Sequence, residues 1–166
     1  AIVPVHVSAD ERYELFLDGE RIGRGPERGD PDNWFYETYD LPLAVGEHML
    51  VARVWALGRD KSPYAQMTVQ PGFIFAPEGD YSKLLGTGVA DWETKILGGY
   101  SFVDPKPAWG TGHNVKVDGA VFAWGFEQGD GDGWQKARLL QPGMGRMTGW
   151  EFARKHRLQP ATLPSM

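Results

Sequence analysis

The stretch GPERGDPDNWFYETYD, Gly25 to Asp40, sets Asp30, Asp32, Glu37 and Asp40 among the aromatics Trp34, Phe35, Tyr36 and Tyr39. Two carboxyls held about 6.5–9.5 Å apart can serve as the acid and the water-activating base of an inverting glycosidase. Nearness along the chain does not set nearness in space, however, and 22 acidic residues make close sequence neighbours common. Asp30-Pro31-Asp32-Asn33 is also strong turn chemistry, which gives its carboxylates a local structural role. No residue is therefore assigned to catalysis. Arg28-Gly29-Asp30 reads as an adhesion tripeptide, but three common residue types meet in this order by chance in roughly one such chain in ten.

A carbohydrate surface would use the same residues differently. The C–H face of a pyranose packs on an indole as any apolar surface does, while its hydroxyls need a few convergent polar groups. Arg28, Asp30 and Asn33 could supply those groups, with Trp34 as the platform just beyond the turn. Trp109, in the glycine-flanked segment PAWGTGHN, is a second candidate platform. These five residues form the candidate carbohydrate-binding set. The competing reading is framework, because large aromatics are mostly buried and seven Trp can fill a core.

Metal chemistry has thinner support. Asp130-Gly131-Asp132-Gly133 offers the first two oxygen positions of a calcium loop without the third acid or the distal Glu. A structural calcium is the one cation to consider, a solvated surface loop is the plainer reading, and no metal ligand is assigned. His6, His48, His113 and His156 are scattered without ligand spacing. The absence of cysteine removes thiol catalysis, disulfides and Cys-based zinc sites together. No other cofactor is expected.

Short strands must position these groups. Tyr13, Leu15 and Leu17 alternate on one face of YELFL, and Asp18-Gly19 is the strongest short hairpin signal before the chain returns through ERIG. NWFYETYDL reads as a further strand with its alternate aromatics buried. VGEH, Val45 to His48, turns into HMLVARVW, His48 to Trp55. Both faces of that strand are fairly apolar, which suits a strand covered on both sides. AQMTV (Ala65 to Val69) and GFIFA (Gly72 to Ala76) are split by Pro71-Gly72. DWETKIL, Asp91 to Leu97, alternates again, and NVKVDGAVFAW places a second Asp-Gly, Asp118-Gly119, between Val-rich flanks. A small helix fits near Leu84 or Trp150, and the tail RLQPATLPSM reads as an extended strap. No repeat of fixed period is visible. Six to nine short strands with frequent turns predict an all-β sandwich or jelly roll.

The totals agree. A chain of 166 residues, 42% apolar and 23% charged, suffices for one domain with a core. A net charge of −5 without a basic cluster argues against a nucleic-acid partner. Apolar runs are too short for a membrane helix. The chain opens at Ala1 directly on a strand-like run, so the expectation is a removed leader or a piece of something longer. A bacterial protein fits, cytoplasmic or exported.

SADERYELFLDGERIGRGPERGDPDNWFYETYDL, followed by AVGEHMLVARVWALG, resembles the N-terminal β-sandwich domain of bacterial α-L-rhamnosidases of glycoside hydrolase family 78. The shared pattern is Tyr-x-Leu-x-Leu, Asn/Asp-Gly, Gly-Pro-x-Arg-Gly-Asp, Tyr-Glu-Thr-x-Asp-Leu and Gly-Glu-Asn before a Val-rich strand. Asp18 stands where Asn is usual, and His48 where the family has Asn. DWETKIL, GWQKARLLQPG and RLQPATLPSM resemble later segments more loosely, with Ala161 where Arg is usual. The likeness runs from about Ser8 to Met166, and its strand pattern is shared with sugar-binding domains of β-galactosidase-type enzymes.

The resemblance implies a jelly-roll, galactose-binding-domain-like sandwich of about eight strands. It implies an accessory domain over residues 1–155 and a Pro-containing strap over 156–166 that leads toward a helical catalytic barrel absent from this sequence. The parent enzyme would hydrolyse terminal α-L-rhamnosides, and the implied partners are rhamnose-containing glycans or that catalytic domain. Family members usually carry strands ahead of the Ser8 segment, so a bare edge here would favour a homodimer through an edge strand. Two alternatives stay open: a purely structural domain packed on the barrel, and a self-standing lectin-like module.

Overall fold

The structure is a computed structural model and describes residues 1–29, 33–57, 71–103, 114–140 and 157–163. Period-two patterning builds its first half. β1 (Ile2–Ala9) turns Val3, Val5, Val7 and Ala9 to one face, and all four are buried. β2 (Arg12–Leu17) does the same with Tyr13, Leu15 and Leu17. β3 (Glu20–Gly25) returns from β2 through Asp18-Gly19, whose φ angles of +51° and +83° are the pair a tight two-residue hairpin demands. β4 (Asn33–Pro42), β5 (Leu50–Trp55) and β6 (Phe73–Pro77) join them in two main sheets.

One sheet has the order β11-β4-β1-β6, with β11 (Arg157–Pro160) at its edge; the other has the order β3-β2-β5. β1 runs antiparallel to β4 and β6, and β2 antiparallel to β3 and β5. The core lies between the sheets: Val3, Val5, Val7, Leu41 and Phe75 from one side meet Tyr13 and Leu15 from the other, with Leu50 and Ala52 packed against them. The fold is an all-β sandwich, as the alternation predicts. No helix among the described residues is long and apolar enough to cross a membrane.

The three-stranded sheet is covered on its outer face too, as the two-sided pattern of HMLVARVW predicts. Phe16 and Val51 pack there against Phe126, from a short 3-10 turn at Phe126–Gln128. Arg53 crosses this layer, bonding Glu14 and donating to the Tyr100 hydroxyl at 2.8 Å. Its guanidinium lies 4.7 Å from the centroid of the Trp55 ring and 5.2 Å from that of Phe126. Stacking an Arg on two aromatics lets its charge sit under partial cover while Nη1 and Nη2 find oxygen, the buried Nε being left without a partner among the described residues.

The structure departs from the sequence reading at several points. In WFYETYDL the buried positions are Glu37, Tyr39 and Leu41, while Trp34, Phe35 and Tyr36 are half-buried. Of the four aromatics only Tyr39 is therefore buried, and a carboxylate shares its buried face. DWETKIL is strand only over β7 (Glu93–Thr94), paired with β10 (Gln135–Lys136). Asp118-Gly119 does not join two strands. β9 (Asn114–Val117) pairs back with β8 (Tyr100–Val103), and the Asp118 carbonyl takes the Val121 and Phe122 N–H groups, curling the chain into a turn. The helix near Leu84 is α1 (Tyr81–Leu85). The AQMTV strand and the alternative helix near Trp150 lie outside the described residues.

His48 closes the loop before β5 onto the hairpin turn. Nδ1 lies 2.7 Å from Asp18 Oδ2 and Nε2 lies 3.2 Å from the Ala44 carbonyl, so both ring nitrogens face acceptors. The Asp18 hydrogen bond raises the His48 pKa, and the same bond lowers that of Asp18, helped by the Met49 N–H. The raised histidine contributes in full below the ordinary imidazole value and loses its contribution as pH rises through its folded value. The lowered aspartate loses its contribution as pH falls. The clasp is therefore tightest between about pH 4 and 6.5. Urea unfolding midpoints should fall from pH 6 to pH 8.5, and His48→Gln should flatten that slope; an unchanged slope would refute the clasp.

Candidate functional site

Three segments meet in a shallow hollow: Ser8 to Glu11 at the end of β1, Pro26 to Gly29 after β3, and Trp34-Phe35 at the start of β4. The hollow thus owes its shape to the sheet that pairs β1 with β4. The Ser8 hydroxyl donates to the Phe35 carbonyl at 2.8 Å, pinning the two strands where they open. The Gly25–Pro26 peptide is cis. The enclosed part measures about 20 Å³, room for about one water. A sugar ring could rest on its rim but could not enter.

Arg28 and Trp34, two of the five candidate sugar-binding residues, line this hollow together. Asn33 begins β4 beside Trp34. Asp30 and Trp109 lie outside the described residues. The sequence reading missed Asp10, Glu11 and Glu27, which line the same hollow. The available signal was the acidic pair in SADERYELFL, which interrupts two apolar-alternating runs.

Asp10 and Glu11 are 3% and 4% exposed. Glu11 has φ +77°, a left-handed conformation that costs a non-glycine residue about 1–3 kcal/mol. That geometry lets its carboxylate accept the Leu57 N–H at 2.7 Å, while the Asp10 N–H donates to the Gly72 carbonyl at 2.9 Å. The turn at the hollow therefore ties down both Leu57 and Gly72. Arg12 flanks this turn; burial and then the neighbouring Arg28 charge hold its pKa below the usual guanidinium value.

Two nearby carboxyls are pushed in opposite directions, the pattern expected of an acid and a base. Burial raises Glu37 above the ordinary carboxylate range, the bond from the Glu27 N–H opposing and the Glu27 charge adding. Glu27 is lowered, chiefly by the Thr162 N–H. Geometry gives both a structural task instead. Glu27 takes the Thr162 N–H at 2.5 Å, the Thr162 hydroxyl at 2.8 Å and the Leu163 N–H at 3.1 Å, buckling the segment after β11 to the hollow. Glu37 lies inside the sandwich beneath Gly25 and does not line the hollow. Asp40 is exposed on β4, and Asp32 lies outside the described residues.

Near Asp130–Gly133 the positive charge is that of Lys95. Its ammonium bonds the Asp130 carbonyl and lies 4.6 Å from the centroid of the Trp134 ring. Among the described residues no group of three or more His, Asp or Glu side chains is placed to hold a metal ion.

These features define an all-β sandwich domain with a small polar hollow of mixed charge. The chain is similar to a GH78 family rhamnosidase of Bacillus sp. GL1, at 31% identity and a TM-score of 0.75. The similarity covers 99% of this chain and 17% of that one, so it matches a domain of that enzyme, as the Tyr-x-Leu-x-Leu and Tyr-Glu-Thr-x-Asp-Leu motifs imply. No family model matches the chain, and no curated protein does.

Proposed function

We propose that this chain is a non-catalytic accessory domain of an α-L-rhamnosidase-like glycoside hydrolase, and that its Arg28–Trp34 ledge touches carbohydrate. The observation that carries the first half is the coverage: nearly all of this chain corresponds to about a sixth of a rhamnosidase. The ledge is supported by its chemistry. Arg28 offers N–H donors at the exposed rim, and Trp34 offers an apolar side. Titration with L-rhamnose and rhamnosyl oligosaccharides, followed by Trp fluorescence, tests it. The expected result is a saturable change in the millimolar range, about 4 kcal/mol of binding, that Trp34→Ala removes.

The small enclosed volume favours a second reading, in which the ledge and the Glu27-buckled segment pack on the rest of a larger enzyme as pure scaffold. A chain that folds normally and responds to no sugar supports that reading over the first. A self-standing lectin-like module would instead bind as tightly alone as within any longer protein.

A further inference from the structure

Among the described residues, the large aromatic with the highest fractional exposure lies far from the ledge in sequence. Trp124 is 72% exposed, an unusual state for a residue that proteins mostly cover. It is also held in one orientation. Its Nε1–H donates to the Gly119 carbonyl at 2.9 Å, and a Cβ on Gly119 would stand 3.7 Å from Cζ2, so the ring lies against that turn's backbone. Phe122 meets it edge-to-face at 4.8 Å. Phe122 in turn meets Tyr100 at 5.3 Å and Phe126 at 6.0 Å, and Phe126 meets the buried Phe16 at 5.6 Å. Trp124 is the outer member of an aromatic ladder rooted in the second core.

The turn beneath it is equally fixed. The Asp118 N–H donates to the Gly99 carbonyl at 2.8 Å, and the Asp118 carbonyl takes the Phe122 N–H at 3.0 Å. Asp118 is exposed, and among the described residues its side chain bonds only the Ala120 N–H, through Oδ1. A carboxylate oxygen is thus left one residue away from the carbonyl that holds the indole.

We propose that Trp124 and Asp118 form a second carbohydrate subsite, which stacks a pyranose with an unbroken C–H face on the indole and takes one of its hydroxyls on the carboxylate. The chemistry selects this class. The indole N–H is already used, so recognition falls to the ring face, and a flat face accepts equatorially substituted rings whose hydroxyls point outward. Because the ring is fixed beforehand, binding costs little ordering of the side chain. The subsite rests on the same reading of the domain as one that handles saccharide, but on residues that the ledge does not share.

Cellotriose is the probe, with sorbitol as an open-chain polyol lacking a ring face. Indole N–H signals resolve the tryptophans individually, and Trp124→Phe assigns the relevant one by its loss. The expected result is a saturable shift of the Trp124 signal with cellotriose and none with sorbitol. Trp124→Ala should weaken binding about tenfold or more, Asp118→Asn should weaken it less, and Trp124→Phe should keep part of it. Trp34→Ala should leave it unchanged, so failure of the ledge and failure of this subsite are separable. No Trp124 shift with cellotriose, or an equal one with sorbitol, would overturn the proposal. So would a Trp124 shift that follows protein concentration alone, which would mean that a second copy covers the ring.

Discussion

Phe75→Ala should lower the unfolding free energy by about 3–5 kcal/mol, the cost of emptying a large aromatic site in a close-packed core. Phe75 is 1% exposed, sits opposite Val7 in the β1–β6 ladder and meets the Trp92 ring at 5.5 Å. Trp92 is itself anchored by its Nε1–H on the Leu85 carbonyl at 2.8 Å, so it cannot swing in to fill the void. Against a domain stability of about 5–15 kcal/mol, the loss should move the urea midpoint strongly while leaving the slope unchanged. A loss under about 1 kcal/mol would mean that the packing around β1 and β6 is not as described.

Gly23→Ala should be the next most damaging change, at about 1–3 kcal/mol. A Cβ there would stand 2.3 Å from Tyr39 Cε1 and 2.6 Å from Cζ, well inside contact. Tyr39 has no easy escape. Its hydroxyl donates to the Arg24 carbonyl at 3.1 Å and lies 3.0 Å from the Tyr13 hydroxyl, which reaches the Val7 carbonyl at 3.3 Å. Burial raises the pKa of both phenols, so the pair stays neutral and hydrogen-bonded at any ordinary pH. In a Tyr39→Leu background the cost of Gly23→Ala should shrink, because the two sites share one clash. Additive losses would show that the close approach of β3 to Tyr39 is wrong.

These two sites also mark what the sequence disclosed. The alternation of Tyr13, Leu15 and Leu17 and the Asp18-Gly19 turn are local signals, and the structure follows them residue by residue. Gly23 is different. It reads as an ordinary strand weakness, and only the neighbour brought by β4 explains it. Glu37 escaped for the same reason: its buried place depends on the Glu27 N–H arriving from another segment. The parallel docking of Arg157–Pro160 on Asn33–Tyr36 joins residues more than a hundred positions apart, which no local pattern encodes.

The site was legible only in part. Arg28 and Trp34 belong together, as their flanking of one turn suggests. Asp10 and Glu11 reach the same hollow from a different strand pair, and their role depends on tertiary pairing of β1 with β4. Trp124 was hidden by the opposite error. DGAVFAW has the composition of a hairpin strand, which would bury alternate residues, whereas the Asp118 turn lifts the indole to the surface.

The central claim is that the chain assists a glycosidase without performing its chemistry. Its most direct test is phenol release from an aryl α-L-rhamnoside by the purified 166-residue chain. The rate should equal that of buffer across pH 4 to 8, with Glu27→Gln and Glu37→Gln indistinguishable from the parent. Saturable turnover by the parent chain, abolished by either substitution, would contradict the claim and make Glu27 and Glu37 an acid–base pair after all.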